Sequence, residues 1–235
     1  MQNSLTYSEK LELLALLEEK QRRESTRKLF TYFPDDGPLR RELYPKHTEF
    51  FEAGIEHRER LMLAANRVGK TESVGGYETT LHMTGLYPAW WKGRRINRPI
   101  SAWAAGDTSK TVRDIIQAKL LGPHGLHGTG LIPADNLHRI TSKTGVSDAV
   151  DTITVKHASG GFSHISLKSY DQRREAFQGT EQDLIWLDEE PGMDIYTECL
   201  LRTMTTNGML LLTFTPLEGL TECVLNFLPG GKLPI

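Results

Sequence analysis

A short apolar segment that runs directly into Gly-Lys-Thr is the feature that most constrains this fold. Residues 61–73 read LMLAANRVGKTES, a strand-like stretch followed by a loop and the start of a helix. In a phosphate-binding loop of the form G-x-x-x-x-G-K-[ST], backbone N–H groups face the phosphates at a helix N-terminus, where the helix dipole also favours anions. Residues 64–71 fit this form, except that Ala64 stands at the first glycine. The pattern predicts a nucleotide-binding α/β domain.

We expect this loop to contact the nucleotide along its whole length. Lys70 is expected to reach the β and γ phosphates, and the Thr71 hydroxyl to bind Mg²⁺. Alanine at position 64 is a modest change if its backbone φ is negative. The alternative is an ordinary strand-to-helix turn with a solvated lysine. The predicted ATP-binding residues of the loop are Ala64, Ala65, Asn66, Arg67, Val68, Gly69, Lys70, Thr71 and Glu72.

A second motif downstream consists of four apolar residues followed by acids. Residues 184–190 read LIWLDEE, the pattern of a buried strand that delivers carboxylates to the edge of a sheet. Asp188 is expected to hold Mg²⁺ together with Thr71, because carboxylate oxygen suits that hard cation. Glu189 is expected to orient or deprotonate the attacking water, with Glu190 as a weaker candidate. The alternative is a strand end followed by a turn at Pro191.

The rest of the chain alternates predicted strands and helices. Strand patterns lie at residues 60–65, in RPISAWAAG and in DLIWLDEEP, and helical patterns at residues 71–83, in TSKTVRDIIQAKLLG and near residues 195–206. A β-then-α order favours a parallel sheet. Alternating residues on both sides of Gly160-Gly161 predict a β-hairpin. We therefore predict an α/β fold with a mainly parallel central sheet flanked by helices.

The N-terminal part is predicted to be helical. Thr6 and Glu9 form a capping-box pattern ahead of leucines at helical spacing, which predicts an amphipathic helix ending near Arg27. A further helix is expected over residues 44–56. In the predicted helix at residues 71–83, two glycines (residues 75 and 76) each weaken the helix by roughly 1 kcal/mol relative to alanine. Close packing of that helix on a sheet would explain both glycines.

Composition narrows the class of protein. The net charge is −2, so any contact with DNA must be local. Two cysteines, Cys199 and Cys223, are too few for a disulfide framework, which points to a reducing cytoplasm. No apolar run approaches the roughly 20 residues that a membrane helix requires, and the N-terminus lacks the apolar centre of a signal peptide. We expect one large soluble, intracellular domain that does not bind membranes.

Together these segments resemble the ATPase domain of the large terminase subunit of tailed bacteriophages, the motor that packages DNA into a procapsid. The resemblance covers most of the chain. Family loops often lack the first glycine and contain an arginine. In this chain Ala64 stands at the position of the first glycine, and Arg67 is the arginine within the loop. The resemblance implies a RecA-like fold of the ASCE class of P-loop NTPases. It is carried by YPKHTEFFEAG, NRVGKT, TGLYPAWWKGRR, KSYDQRREAFQGTEQDLIWLDEEP and LLTFTPLEGLT.

The family also implies residue roles. Glu189 corresponds to the catalytic carboxylate. Thr213, Phe214 and Thr215 belong to the coupling motif TFTP, whose hydroxyls end a hydrophobic strand near the expected γ-phosphate. Such a strand end can sense whether the phosphate is present.

An adenine-contacting segment is implied ahead of the first strand. Tyr44, Pro45 and His47 correspond to it. A glutamine is common in the family where His47 stands, so the base specificity stays open. The alternative is a helix start with packing aromatic residues.

Arginine completes the site in many motors of this kind, where it is worth roughly 10³ to 10⁵ in rate. Arg67 lies in the loop and could act in the same subunit, as a catalytic residue beside Lys70. Arg173, Arg174 and Arg139 are candidates to act on a neighbouring subunit. A solvated surface arginine is the alternative for each.

The segment WWKGRRINR, residues 90–98, interleaves aromatic and basic residues. Such a segment would suit phosphate contacts together with base stacking. The alternative is two tryptophans that pack a loop onto the domain.

The expected organisation has three parts. Residues 1–58 form an N-terminal helical segment with the adenine side, residues 59–228 form the ATPase core, and residues 229–235 begin an interdomain linker. Large terminase subunits usually continue into an RNase H-like nuclease, which we expect this chain to lack. We therefore expect no DNA cleavage by these residues.

The resemblance implies ATP and Mg²⁺ as ligands and a homo-oligomeric ring as the assembled state. Double-stranded DNA, the portal protein and the small terminase subunit are the expected partners. The expected location is the host cytoplasm, with transient binding at the portal vertex of the procapsid. Two other functions stay open, a DEAD-type helicase fragment and a nucleotide-binding scaffold with little turnover.

Overall fold

A seven-stranded sheet lies at the centre of the part of the protein that the structure describes. The computed structural model describes residues 6–217 and 219–228, with the side chains of residues 22–25 excepted. The predicted linker at residues 229–235 lies outside them. The strands are β1 (Glu59–Leu63), β2 (Ser101–Gly106), β3 (Leu137–Ser142), β4 (Val150–Lys156), β5 (Phe162–Ser169), β6 (Leu184–Asp188) and β7 (Met209–Phe214).

The helices flank this sheet and are interspersed with short 3₁₀ turns. Helix α3 begins with a π-helical part, and α4 contains one in its middle. The helices are α1 (Tyr7–Ser25), α2 (Pro45–Glu52), α3 (Lys70–Gly76 as a π-helix, then Tyr77–Thr84), α4 (Ser109–Thr111, then Val112–Gln117 as a π-helix, then Ala118–Leu121), α5 (Met193–Met204) and α6 (Glu222–Asn226). The 3₁₀ turns are Lys28–Thr31, Arg41–Leu43, Ala53–Ile55, Ala134–Asn136, Tyr170–Gln172 and Arg174–Phe177.

The strand order is β1-β7-β6-β2-β5-β4-β3. The first five strands in this order pair in parallel, and β4 and β3 extend the sheet by antiparallel pairing. The predicted mainly parallel sheet and the hairpin at Gly160-Gly161 are therefore confirmed. Because the carboxyl ends of parallel strands share one edge, the sheet brings the ends of β1, β6 and β7 together.

Two hydrophobic clusters cover the two faces of the sheet. Alternate residues of β6 point to opposite faces, so that Trp186 lies in one cluster and Ile185 and Leu187 lie in the other. All five residues of β6 are buried. Such a continuous buried run is typical of a parallel strand covered on both faces.

Close packing explains both glycines of α3. An ideal Cβ at Gly75 would lie 2.1 Å from Nε1 of Trp186, and one at Gly76 would lie 2.8 Å from Cδ1 of Leu131. The helix that follows the phosphate loop can therefore approach β6 only because these side chains are absent. This agrees with the expectation from the sequence.

The N-terminal helix forms, but its leucines are not buried within the described residues. The Thr6–Glu9 capping box is present, with the Thr6 backbone N–H donating to Glu9 Oε2 at 2.6 Å. Leu11, Leu14 and Leu17 are each about half exposed. Further along, Leu29, Phe33, Phe50 and Phe51 join the core that includes the sheet.

Several boundaries and two elements differ from the prediction. The first strand ends at Leu63 rather than at residue 65, so that Ala64 and Ala65 belong to the loop. Strand β3 was not predicted, because its edge position leaves half-exposed residues without clear alternation. The five-residue helix α6 was also missed. A threonine N-cap at residue 221, whose side chain accepts from Val224 N–H, was the available signal.

Candidate functional site

The phosphate-loop segment takes the shape that its sequence predicts. Arg67 and Gly69 both have left-handed backbone conformations, with φ of 66° and 87°. Gly69 immediately precedes α3, and its neighbour Lys70 is buried. The ammonium of Lys70 donates to Ala65 O and to Thr215 Oγ1, each at 2.8 Å. The loop lysine and the end of β7 are therefore in direct contact.

The two predicted metal ligands also meet. Thr71 Oγ1 lies 3.0 Å from Asp188 Oδ1 and 3.1 Å from Oδ2. On the other side, Thr213 Oγ1 donates to Asp188 Oδ1 at 2.7 Å. One buried carboxylate thus joins the start of α3, the end of β6 and the end of β7.

The environment of Asp188 favours its neutral form. Burial raises the pKa of this carboxyl to about 7, while the hydrogen bonds from Thr213 and Thr71 and the charge of Lys70 oppose the shift. A neighbouring positive charge stabilises the carboxylate form. A cation that approaches Asp188 would therefore stabilise its carboxylate form and be bound by it.

Glu189 follows Asp188 in a left-handed conformation, with φ of 69°. Its backbone N–H donates to Thr213 O at 3.1 Å, and its carbonyl accepts from the Tyr170 hydroxyl at 3.0 Å. Burial raises the pKa of Glu189, Lys70 lowers it and Asp107 raises it further. A carboxylate with a raised pKa beside a lysine is suited to accept a proton from water.

A cavity of about 630 Å³ opens beside these acids. Glu189, Glu190, Asp107 and Thr215 are among its lining residues. Glu190 also contacts the hydroxyl of Thr221, the residue that caps α6. The cavity gives solvent and ligand access to the predicted catalytic carboxylate.

The donors fit a magnesium ion. Thr71 and Asp188 offer hard oxygen ligands at one place, and Mg²⁺ is commonly held by one or two protein oxygens, with phosphates and water completing its shell. Within residues 6–217 and 219–228, no group of three or more His, Cys, Asp or Glu side chains is arranged to hold a metal ion. Two oxygen ligands beside a phosphate loop match magnesium better than a metal enclosed by protein.

Glu72, also predicted to contact ATP, forms ion pairs with residues of other elements. Its carboxylate forms ion pairs with Lys28 and with Lys119, the latter at 2.5 Å from Nζ to Oε2. Burial opposes ionisation, but hydrogen bonds from these two lysines and from Tyr32 lower the pKa of Glu72 to about 2. Glu72 thus connects the start of α3 with α4 and with the Lys28–Thr31 turn.

The predicted adenine segment lies against the phosphate loop. Tyr44 precedes α2, Pro45 is its first residue, and His47 is buried within it. Nε2 of His47 lies 3.6 Å from an ideal Cβ built on Gly69 and has no hydrogen-bond partner among the described residues. Burial lowers the pKa of His47, opposed by the Val68 backbone. Burial therefore favours the neutral form of His47, whose ring packs beside the loop.

The candidate arginines occupy different environments. Arg174 Nε donates to the buried Glu198 at 2.9 Å, so this guanidinium already has a partner in the same chain. Arg173 is exposed and has a strained backbone, with φ of 61° and ψ of 176°. Arg139 is exposed on β3, at the edge of the sheet farthest from β1. Arg67 is exposed within the loop.

The tryptophans of WWKGRRINR pack into the domain. Trp91 is buried, and its ring centroid lies 4.9 Å from that of Phe51. Trp90 stacks parallel to Tyr77, and Arg41 lies 5.0 Å over its ring. The alternative of packing tryptophans therefore describes these two residues.

A buried charge network joins both flanks of the phosphate loop. Arg60 of β1 donates from Nη2 to Glu78 Oε1 of α3 at 2.7 Å, and His82 Nε2 lies 3.2 Å from the same oxygen. Burial alone would raise the pKa of Glu78, but the charge of Arg60 and the contact with His82 lower it. His82 Nδ1 lies 2.7 Å from the hydroxyl of Tyr87.

Three residues at the site were missed in the sequence. Tyr170 bonds the backbone of Asp188 and Glu189, and Trp186 Nε1 donates to Thr213 Oγ1 at 2.8 Å. Neither contact leaves a sequence signal. Asp107, whose charge raises the pKa of Glu189, directly follows β2. Its position one residue after a parallel strand was an available signal.

Comparisons with known proteins show which family this chain resembles. The family model described as terminase large subunit, T4likevirus-type, N-terminal, matches residues 61–231. The chain is 34% identical over 246 residues to the large subunit of the terminase of Salmonella phage P22. That alignment covers 96% of this chain and 47% of the relative, so the chain spans about half of the curated relative's length.

Solved structures with this fold are also similar. A mutant of the large terminase ATPase domain of Thermus phage P74-26 aligns with a TM-score of 0.51 and 14% identity, over 72% of this chain and 63% of that one. The large terminase of a thermophilic bacteriophage aligns with a TM-score of 0.49 and 12% identity, over 82% and 38% of the two chains. At this identity the likeness shows the fold alone, and the α/β sheet is of the RecA-like type.

Proposed function

The chain belongs to the terminase large-subunit family, and we propose that it hydrolyses ATP with Mg²⁺ to drive viral double-stranded DNA into a procapsid. One observation carries the proposal. Lys70 contacts Thr215, and Thr71 and Thr213 both contact Asp188, so that three separate parts of the chain meet at one place. Glu189 is adjacent to this place. An ordinary strand-to-helix turn with a solvated lysine would not bring a buried lysine and a buried acid to the end of β7.

The residues divide the chemistry among them. Lys70 and the loop backbone bind the phosphates of ATP, and Thr71 with Asp188 holds the metal. Magnesium, when bound, neutralises charge that develops on the phosphates during transfer. Glu189 orients the attacking water and accepts its proton, because burial raises the pKa of this carboxyl and makes it a stronger base. Arg67 is placed in the loop to add charge in the same subunit.

The coupling residues carry the state of the site outward. Thr215 Oγ1 lies 2.8 Å from Lys70 Nζ, and Thr213 bonds Asp188. Phe214, between them, is buried in the cluster that includes α5 and α6. A change at the phosphates therefore reaches the packing on the far face of the sheet through one strand end.

The assembled state is part of the proposal. A ring of identical subunits places an arginine of one subunit at the site of the next, and we favour Arg173 because Arg174 is already paired with Glu198. The proposed partners are duplex DNA, the portal protein and the small terminase subunit. The proposed location is the host cytoplasm and, transiently, the portal vertex. No helix among the described residues is long and apolar enough to cross a membrane.

Release of phosphate from MgATP by the purified chain tests the catalytic assignment. Glu189→Gln keeps the size of the side chain and removes the base, so turnover should fall by about 10² to 10⁴ while a fluorescent ATP analogue still binds. Glu190→Gln is the matched control and should retain turnover. An unchanged rate in Glu189→Gln, with ATP still bound, would contradict the catalytic role assigned to Glu189. Absence of both nucleotide binding and phosphate release would overturn the proposed function.

A further inference from the structure

Arginines line a groove of about 310 Å³ on the side of the sheet away from the phosphate loop. The groove lies between residues 94–98, which lead into β2, and residues 206–208, which lead into β7. Parallel strands start at one edge of the sheet and end at the other, so the groove is at the opposite edge from Asp188. We propose that this groove binds the phosphodiester backbone of duplex DNA.

The groove has an excess of positive charge. Arg94, Arg95 and Arg98 line it together with one acid, Asp183. Arg98 holds that carboxylate with two hydrogen bonds, at 2.6 and 3.2 Å, and the Ser101 backbone N–H adds a third at 3.0 Å. Within the described residues, Arg94 and Arg95 have no carboxylate partner. Their charges are therefore available to an anion, in a chain whose net charge is −2.

A fourth arginine adds charge behind the groove. Arg58 donates from Nε to Gly208 O at 2.9 Å and from Nη2 to Thr203 O at 3.0 Å. These carbonyls fix the guanidinium without neutralising it. The same bonds hold the turn that forms one wall of the groove. Arg58 thus contributes both to the local potential and to the shape of the groove.

The arginine segment is held in place before any ligand binds. Trp91 Nε1 donates to Arg94 O at 3.1 Å, and the Ile96 backbone N–H donates to the Tyr87 hydroxyl at 2.8 Å. The guanidinium of Arg95 lies 5.3 Å over the ring of Tyr87. Ordering a flexible segment opposes binding, so a fixed segment loses less free energy when a ligand is captured.

The chemistry of the groove favours a phosphate backbone over bases. Guanidinium groups match phosphate oxygens in geometry and charge, and the exposed Asn207 can supply further amide donors. Sequence-independent binding of single strands usually requires aromatic side chains on which bases stack. Trp90 and Trp91 instead pack into the domain. A groove of fixed arginines without exposed rings therefore suits the backbone of a duplex.

The arginine segment also contacts the helix that carries the phosphate loop. The Tyr87 hydroxyl, which binds Ile96, lies 2.7 Å from Nδ1 of His82 on α3. That helix begins at Lys70, so the proposed DNA contact and the nucleotide contact lie on connected parts of the chain. The choice of DNA as the ligand rests on the proposed function.

Fluorescence anisotropy with a short labelled DNA duplex, measured over a series of salt concentrations, tests the groove. The variant Arg94→Gln/Arg95→Gln removes two charges, keeps long polar side chains and leaves the Arg98–Asp183 pair intact. We expect duplex affinity at low salt to fall by about tenfold or more, and the slope of log affinity against log salt to fall by about 2. Arg40→Gln/Arg113→Gln removes the same charge elsewhere on the surface and should change neither value appreciably.

Each outcome decides the proposal separately from the proposed function. Equal affinity and equal salt slope in the groove variant and its control would show that the groove does not bind DNA, whatever the ATPase activity. Failure of the unmodified chain to bind duplex at low salt would do the same. If inorganic phosphate alone displaces the duplex at matched ionic strength, the groove is a small-anion site and the proposal is wrong. Melting temperature and nucleotide affinity, both expected to stay at their unmodified values, show that the groove variant is folded.

Discussion

The indole Nε1 of Trp186 donates to Thr213 Oγ1 at 2.8 Å, and that hydroxyl in turn donates to Asp188 at 2.7 Å. A hydroxyl that accepts from one fixed group directs its own proton toward another. The side chain of Trp186 also fills the space left by Gly75. One tryptophan therefore sets both the hydrogen bond to the proposed metal ligand Asp188 and the distance of α3 from the sheet.

Trp186→Phe keeps a ring and removes the N–H donor. We expect ATP hydrolysis to fall by roughly 10- to 100-fold and the Mg²⁺ concentration for half-maximal rate to rise, because groups that orient metal ligands usually have effects of this size. Trp103→Phe is the control, since Trp103 is also buried but lies on the other face, away from Asp188. Similar metal dependence in both variants would show that only packing is lost.

Gly75→Ala is expected to destabilise the protein in spite of the better helix propensity of alanine. Its Cβ would lie 2.1 Å from a rigid indole, and overpacking of a core typically costs about 1–3 kcal/mol. At Gly76 the nearest atom is the end of a flexible leucine, at 2.8 Å, so Gly76→Ala should cost less. Urea unfolding of both variants measures the difference. If both variants were as stable as the unmodified chain, α3 would be able to move away from β6 without cost.

Lys70→Ala should abolish turnover in a folded protein. A fixed charge that faces the transferred phosphate acts mainly in the transition state, and such a contact is commonly worth about 10² to 10³ in rate. Lys156→Ala, at the exposed hairpin, is the matched control. Phosphate release and circular dichroism separate loss of activity from loss of fold. A rate equal to that of the unmodified chain would contradict the placement of Lys70 at the phosphates.

The pKa of Asp188 predicts how the free energy of unfolding of the metal-free protein depends on pH. Folding raises this pKa from 3.8 to about 7, so the protonated form stabilises the folded state fully below about pH 4, and this contribution is lost as the pH rises through 7. Between these two pH values the free energy of unfolding should fall by about 4 kcal/mol in total. In EDTA, the stability of the unmodified chain relative to Asp188→Asn should fall between these pH values and stay constant above them. Thermal unfolding of both proteins across the range measures it, and parallel curves would show that Asp188 ionises normally.

The sequence predicted the parts of the fold that depend on local pattern. The phosphate loop, the buried run of β6 and the hairpin at Gly160-Gly161 each have their own spacing signature. The two glycines of α3 also predicted close packing, which the contacts with Trp186 and Leu131 confirm. By contrast, edge strand β3 is half exposed and was missed, because pairing with β4 rather than a pattern of its own fixes it.

Contacts between distant segments could not be predicted in the same way. The bond from Tyr170 to the backbone of Glu189, and that from Trp186 to Thr213, depend on the register of neighbouring strands. Likewise, the ion pairs of Glu72 and Arg174 appear only once helices and turns pack. Sequence identified which side chains have suitable chemistry, and the sheet determined which of them meet.

The position of β1 at the end of the sheet has a consequence for synthesis of the chain. Among the described strands β1 pairs only with β7, so the strand that leads into the nucleotide loop gains its neighbour after nearly all of residues 1–235 have been made. Contacts between distant segments form slowly, because a long loop must close first. A ribosome-bound nascent chain that has not yet exposed residues 209–214 therefore cannot complete the proposed site, because the strand that pairs with β1 is still missing.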